Sequence, residues 1–567
     1  MTILSRRAFI GSLGAGALGG AYSLAAAPEN RKPTPRRLLF NWDGSMIHCF
    51  GRAALGNPDG PLTREQFTSL MFTPLDERAV DAVLFSFGSG NVAEYQSDVL
   101  EWPGEADRFV FPKEKTWHGG MAVDPADQYH NPKSLAGAGQ NPPAIVVDEC
   151  HKRGIDAFVS LRMNDCHDGQ HAKGTLPNVE LATFKRQNPD WLVPDLDWWT
   201  ALNYAHPRVR KLKLRVVEEF FDRWNFDGIE LDWLRHSLHF PRGTEQENAH
   251  HLTGFMRTVR QSLNARAKRR GRPIEIAVRI PERLSWCKQG GFDVPTWLSE
   301  DLCDMLILGQ GLTQLPTLGE FHDAMSNRRI PIYPCLATYG NGYSISPESV
   351  VRGSADNLWH DGADGLYTFN WFFHGDWRKQ LLGDISEPSR LVGKNKRYTL
   401  THRVKAAPGE PGADYVRYNT QGKDAPLPFN LTVDARAKTV SIAVGPDAGS
   451  EVKPPSRAAL VIAADFLGES DVLELALNGH RLERPGSEQP LVQQELGQPL
   501  DIPAGNGLLG FSQQKSVDNS FSGLSFIVPV ERLRPGNNEL TFRLKQRTPG
   551  FEHSLRVTRV ELEIVAE

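Results

Sequence analysis

The chain contains few cysteines, and their spacing does not suggest a zinc site. Six Cys residues are scattered over 567 positions, and none belongs to a Cys-x-x-Cys pair. Structural zinc sites usually draw their thiolates from such closely spaced pairs. We therefore interpret the cysteines mostly as buried thiols, and we expect no metal and no other cofactor.

The sequence also lacks an excess of charge of one sign. Lys and Arg total 64, Asp and Glu total 68, and the formal net charge is −4. No basic stretch reaches the density that nucleic-acid binding requires. We therefore expect no nucleic-acid partner, while the composition leaves the oligomeric state open.

The N-terminal residues form a pattern that is typical of export. Arg6 and Arg7 are followed by a Gly/Ala-rich apolar stretch and then by three alanines at 25–27. This order resembles a bacterial twin-arginine (Tat) signal peptide. The resemblance implies that 1–27 is a signal peptide, that 28–36 is a linker, and that the protein is periplasmic or secreted. No later run is apolar and long enough to span a membrane, so we expect no membrane association after signal removal.

Residues 37–390 alternate between short β-branched runs and longer amphipathic segments. Eight strands alternating with helices predict an α/β fold, the (β/α)8 TIM barrel. A doubly wound sheet is the alternative, but no Gly-rich phosphate loop follows an early strand. The strands are predicted at 37–42, 80–87, 157–162, 228–233, 274–280, 305–308, 332–337 and 365–369.

Two segments depart from this alternation. The second connection, at about 88–143, is long and rich in Gly, Pro, Trp and His, which predicts an ordered wall over the barrel mouth. In 391–567 the helical periodicity is replaced by short alternating runs between turn residues. That pattern predicts a C-terminal all-β sandwich, jelly-roll-like, with an accessory or carbohydrate-binding role.

The fourth predicted strand carries the strongest candidates for catalysis. Glu230 and Asp232 alternate with apolar residues and therefore project from one face of the strand. Two acids on one face of an apolar strand are costly to bury unless they are paired. We interpret Asp232 as a catalytic carboxylate. Glu230 is either a second catalytic acid or a buried partner of Arg279 or Arg162.

This strand resembles the fourth-strand motifs of two glycosidase groups. Asp227-Gly228 and Asp232 match the chitinase motif D-G-x-D-x-D-x-E, although Leu234 stands where the catalytic Glu belongs. Asp232 and Arg235-His236 match the α-amylase motif G-F-R-x-D-x-x-K-H, with Glu230 in place of its Arg.

The chain is most similar to bacterial glycosyl hydrolase family 10-like barrels. They share a run resembling Arg162–His167 and another resembling Asp227–Arg235. The resemblance covers residues 37–385 and implies a barrel fold and a sugar-related substrate class.

Two further strand ends carry candidate acids. Asn164, Asp165 and His167 follow the third strand, where they could bind substrate hydroxyls, or act as acid or base; a capped loop is the alternative. Glu282 follows the fifth strand, where the α-amylase clan carries its acid/base Glu. The alternative for Glu282 is a salt bridge with Arg283.

The remaining candidates are polar or aromatic residues expected at strand ends, where they would contact a carbohydrate substrate. The tryptophans among them suit stacking on sugar faces, although each alone is more often a core residue. They are Trp42, Asp43, Arg162, Trp233, His236, Arg279, Gln310, Asn370 and Trp371.

These features favour a glycoside hydrolase that uses two carboxyl groups. Such groups lie about 5–5.5 Å apart in retaining enzymes and about 6.5–9.5 Å apart in inverting ones. Asp232 and Glu282, on adjacent predicted strands, could reach the shorter spacing. The alternatives are a polysaccharide lyase, with His167 as base and Arg162 and Arg279 around a uronate, and a non-catalytic carbohydrate-binding barrel.

Overall fold

The structure is a computed structural model, and it describes most of the chain beyond residue 35. The predicted signal peptide and all of the predicted linker except Arg36 lie outside the described residues. The described ranges are 36–44, 47–48, 61–105, 116–118, 121–123, 127–169, 180–196, 198–311, 318–325, 328–337, 346–371, 376–401, 425–433, 435–446, 455–483, 523–550 and 552–566.

Eight parallel strands close into a barrel in which neighbours along the chain are neighbours in space, and the last strand pairs with the first. The predicted (β/α)8 fold is confirmed, with every strand within two residues of its predicted bounds. The strands are β1 (Leu38–Asp43), β2 (Ala82–Ser86), β3 (Asp156–Arg162), β4 (Gly228–Asp232), β5 (Glu275–Ile280), β6 (Met305–Leu308), β7 (Ile332–Ala337) and β8 (Leu366–Phe369).

The strands are almost continuously apolar because both of their faces are buried. Inward-facing side chains such as Leu84, Phe158 and Ile307 form a cluster inside the barrel. Outward-facing ones such as Phe85 and Val159 pack against the helical layer. The barrel interior is therefore a packed core, and chemistry is left to the carboxyl ends of the strands.

Helices surround the barrel and occupy most of its connections. Of the helices in the described part of the chain, none is long and apolar enough to cross a membrane. They are α1 (Arg64–Phe72), α2 (Asp127–Gly137), α3 (Pro142–Lys152), α4 (Thr183–Gln187), α5 (Pro207–Arg223), α6 (Glu245–Arg270), α7 (Leu284–Gln289), α8 (Val294–Ser299), α9 (Leu318–Asp323), α10 (Glu348–His360), α11 (Asp376–Ile385) and α12 (Pro388–Leu391).

The insertion after β2 packs against the region that follows β3. The Asn91 side chain donates to the backbone carbonyl of Asp165 at 2.9 Å. The buried Lys213 of α5 donates to the carbonyl of Gly90 at 2.6 Å. Later in the same insertion, Thr116–His118 and Met121–Val123 form a short antiparallel hairpin.

Two antiparallel sheets follow the barrel, as the all-β prediction required. Their facing sides share a core that includes Leu460, Phe526 and Phe542. One sheet contains β9 (Lys396–Thr399), β10 (Phe429–Leu431), β12 (Arg457–Asp465), β15 (Gly523–Val528) and β17 (Leu555–Val565); the other contains β11 (Lys438–Val444), β13 (Val472–Leu477), β14 (His480–Arg481) and β16 (Gly536–Gln546).

Helix α10 joins the sandwich to the barrel. Buried Asp356 accepts a hydrogen bond from the Tyr398 hydroxyl at 2.7 Å and pairs with the Lys396 ammonium at 3.2 Å. Asn357 donates to the carbonyl of Ala443 at 3.1 Å. Residues 36–567 form one compact unit.

Candidate active site

Glu230 lies inside the barrel and is held by neighbouring strands. Its carboxylate accepts from the Tyr367 hydroxyl at 2.8 Å and from the Asn41 amide at 3.2 Å. Burial, followed by the negative charge of Asp232, raises the pKa of Glu230 to about 7. The residue is fully buried, one inward-facing position below Asp232. These contacts favour the alternative of a buried acid that links strands, here through Tyr367 and Asn41, and a catalytic role for Glu230 stays a prediction.

Asp232, which the sequence predicts to be a catalytic carboxylate, has partners on both of its carboxylate oxygens. Oδ2 pairs with the buried Arg279 guanidinium at 3.1 Å. Oδ1 accepts the backbone N–H groups of Leu234 at 3.0 Å and Arg235 at 2.9 Å. The carboxylate thus fixes the loop after β4 and neutralises Arg279, which in the sequence analysis was a candidate partner of Glu230 instead.

Arg162 joins the ends of β1 and β3. One amino group pairs with Asp43 at 2.7 Å, and the other pairs with Asp165 at 2.8 Å. The second oxygen of Asp165 accepts both the backbone N–H and the ring Nδ1–H of His167 at 2.9 and 2.7 Å. Burial alone would raise the pKa of Asp165, but His167 and Arg162 hold it well below its ordinary value.

His167 is the exposed member of this network, with a quarter of its side chain accessible. Arg235 donates to its Nε2 at 3.0 Å, so Nε2 is the acceptor and Nδ1 carries the proton that faces Asp165. Burial, opposed by Asp165 and assisted by Arg235, lowers the pKa of His167. The ring is therefore neutral near pH 7 and is aligned by a carboxylate, and its Nε2 lone pair accepts from Arg235.

His236 completes a group of metal-type donors with Asp165 and His167. One donor atom from each lies within 4.8 Å of the others. These atoms already have partners: His236 Nδ1 accepts the backbone N–H of Cys166 at 3.2 Å, and Arg235 faces His167. A divalent cation would have to compete with these hydrogen bonds and with the nearby positive charges of Arg162 and Arg235, so the residues fit the observed hydrogen-bond network better than a metal.

Glu180 belongs to the same group of charges, and sequence analysis missed it. Burial and the negative charge of Asp165 raise the pKa of this half-buried Glu to about 8, against the opposing charge of Arg162. Glu180 therefore carries a proton near pH 7 while Asp165 is ionised. It lies in a loop outside any strand or motif, so only the folded chain reveals its proximity to Asp165.

Glu282 lies two residues beyond β5 and is almost fully buried. Burial, opposed by Arg283, raises its pKa to about 7. Gln310 lies two residues beyond β6 and is 5% exposed, and Asn370 directly follows β8 and is 4% exposed. These three residues lie at the predicted strand ends, and their roles remain predictions.

Four predicted substrate contacts are buried within the fold. Asn164 is fully buried, and its amide ties the backbones of Leu202 and Leu238 together. The rings of Trp42, Trp233 and Trp371 are 0–1% exposed, so none offers a face to a sugar.

Strand alternation explains why two of these tryptophans are buried. Asp43 and Asp232 face inward, so Trp42 and Trp233 face the helices. Trp42 donates to the carbonyl of Met71 in α1, and Trp233 packs on Phe255 of α6.

Comparisons with known proteins place the chain near solved barrels only distantly. No family model matches the sequence, and no curated protein matches it. The PgaB (BpsB) glycoside hydrolase domain from Bordetella bronchiseptica is 11% identical, with 62% of this chain and 99% of that chain covered and a TM-score of 0.39. An α-amylase from Geobacillus thermoleovorans is 11% identical, with 90% and 99% covered and a TM-score of 0.35. A family GH18 chitinase from Chromobacterium violaceum is 9% identical, with 92% and 91% covered and a TM-score of 0.34.

Proposed function

We propose that the protein is an exported glycoside hydrolase with Asp165 and Glu180 as its two working carboxyl groups. The observation that carries the proposal is the charged network Asp43–Arg162–Asp165–His167–Arg235, which joins the ends of β1, β3 and β4. In a barrel of this topology, catalysis takes place at these strand ends.

Glycoside hydrolysis requires one protonated and one ionised carboxyl group in the same site. Glu180 is protonated and Asp165 is ionised near neutral pH, because each pKa is shifted by its surroundings in the required direction. Pairs of carboxyl groups with separated pKa values assign acid and base roles. Glu180 is therefore the proton donor to the leaving oxygen, and Asp165 stabilises the positive charge that develops on the sugar.

The pair proposed from sequence, Asp232 and Glu282, is the alternative. Glu282 has the protonation state of a donor. Asp232 is held by Arg279 and two backbone amides, as Asp165 is held by Arg162 and His167, and both carboxylates are buried. Asp165 contacts His167, which is partly exposed, and this connection to the surface favours Asp165.

One observation favours a second candidate, a polysaccharide lyase. His167 is a neutral imidazole next to the Arg235 guanidinium, and a lyase needs such a base beside a cation that binds the uronate. Elimination would leave an unsaturated product that absorbs near 235 nm, whereas hydrolysis releases a reducing end without this absorbance.

The purified chain, incubated with a panel of glycans, tests both candidates by reducing-end release and by absorbance. Asp165→Asn and Glu180→Gln are compared with the control Glu300→Gln. Glu300 is an exposed acid that directly follows α8 and pairs with Arg257. Hydrolysis that only the first two variants lose supports the proposal. Hydrolysis unaffected by both would contradict it.

A further inference from the structure

Arg235 is a buried cation for which the described part of the chain provides no acidic partner. The residue is 6% exposed, yet among the residues that the structure describes no carboxylate lies within ion-pairing distance of its guanidinium. Nη2 donates to the neutral His167 ring at 3.0 Å, and Nε has no hydrogen-bond partner in that part of the chain. A buried charge is costly unless it is paired, so this arrangement requires an explanation.

The other two arginines at the barrel mouth, in contrast, each form ion pairs with acids. Arg162 lies between Asp43 and Asp165, and Arg279 is paired with Asp232. Each of these acids is thus already matched with a cation. Within the described ranges, Arg235 is the mouth arginine whose charge is not matched by an acid.

The surroundings of Arg235 show the effect of this charge. The guanidinium lies 5.8 Å from the centre of the Phe369 ring, which supplies only a weak cation–π contact. Its positive charge contributes to the lowered pKa of both His167 and His236. The two histidines next to Arg235 are therefore neutral, and no described neighbour carries a negative charge within ion-pairing distance of it.

We propose that Arg235 binds an anionic substituent, a carboxylate or a sulfate, on the sugar that enters the mouth. The planar guanidinium fork matches both groups and pairs with them through charge-assisted hydrogen bonds. The contact with His167 places the anion beside the charged network of the active site. This inference rests on the proposed function only for its assignment of a sugar as the ligand.

The test measures binding to matched acidic and neutral glycans by isothermal titration calorimetry. Oligogalacturonides, alginate oligomers and hyaluronan oligomers are each compared with their carboxyl-reduced forms, and dextran sulfate is compared with dextran. The proteins are the wild type, Arg235→Gln, Arg235→Lys, and the matched control Arg257→Gln, whose guanidinium is half exposed on α6.

At least one acidic glycan is expected to bind the wild type about 10- to 100-fold more tightly than its neutral form, as one charge-assisted contact allows. Arg235→Gln abolishes this preference, Arg235→Lys retains part of it, and Arg257→Gln leaves it unchanged. Preference for a carboxylated or a sulfated member identifies the anion. If no acidic glycan binds more tightly than its neutral form, or if Arg235→Gln retains the preference, the inference is overturned.

The same glycans, tested both for binding and for cleavage, separate this inference from the proposed function. Tight binding of an acidic glycan that is never cleaved would leave the inference standing and reject hydrolysis. Cleavage of a neutral glycan, with no preference for acidic forms, would do the reverse. Melting temperatures of the Arg235 variants confirm that each is folded before its affinity is interpreted.

Discussion

Removal of the Asp232 carboxylate is expected to destabilise the barrel, because Arg279 would keep a buried charge without a counterion. Arg279 is 0% exposed and pairs with Asp232 at 3.1 Å. Its other hydrogen bond is from Nε to the carbonyl of Gly309 at 3.2 Å, and Nη2 has no partner among the described residues. Breaking a buried ion pair from one side costs about 3–5 kcal/mol. We therefore expect Asp232→Ala to lower the free energy of unfolding by about that amount.

Two variants refine this expectation. Asp232→Asn keeps an oxygen that can accept the backbone N–H groups of Leu234 and Arg235, so its loss should be smaller than that of Asp232→Ala. Combining Asp232→Asn with Arg279→Met removes both charges and should recover part of the loss, because no buried ion is then left unpaired. Glu300→Ala, at an exposed ion pair, is the control and should change stability little.

Urea unfolding followed by tryptophan fluorescence measures these differences in the barrel itself. All thirteen Trp residues lie before residue 378, so the signal does not report the sandwich. If Asp232→Ala stayed within about 1 kcal/mol of the wild type, well below the cost of a broken buried pair, the structural role of Asp232 would be refuted. A large loss of turnover at full stability would instead support Asp232 as a catalytic carboxylate.

Three further predictions follow from the network, from the contact between barrel and sandwich, and from the N-terminus. The pKa of Glu180 is raised from 4.5 to about 8, so its proton is present below that pH and is lost above it. We therefore expect kcat to fall above about pH 8, and the pH–rate profile of Glu180→Gln should lack this decrease. Asp356→Asn removes the charge that faces Lys396 between α10 and β9, and urea unfolding should show a loss on the order of 1–3 kcal/mol. Replacing Arg6 and Arg7 by Lys should retain the protein in the cytoplasm, and undiminished export in cell fractions would exclude the twin-arginine route.

The barrel could be predicted because its strands are buried on both faces. Continuous apolar runs such as β2 and β6 stand out from the helical segments around them. The longer sandwich strands were recognisable from their alternation. Three short ones, β9, β10 and β14, were not, since two to four residues are too few to show a period.

The site was predictable only where its residues are close in the chain. Arg162, Asp165 and His167 fall within six positions at the end of one strand, and the structure joins them directly. Glu180 reaches the same group through a loop, and no local pattern marks it. The ion pair of Arg279 with Asp232 was not predicted, because the sequence places Glu230 and Asp232 on one face without showing which of them lies closer to a neighbouring guanidinium.

The leaving-group dependence of Glu180→Gln tests the central claim most directly. A proton donor matters most when the leaving group is a poor one, so the variant should lose about 10²–10⁴-fold in kcat/KM on a natural glycan. It should lose much less on an aryl glycoside whose phenolate leaves without protonation. Asp165→Asn, in contrast, should lose activity on both substrates. Equal losses of Glu180→Gln on both substrates, or no loss on either, would contradict the assignment of Glu180 as the proton donor.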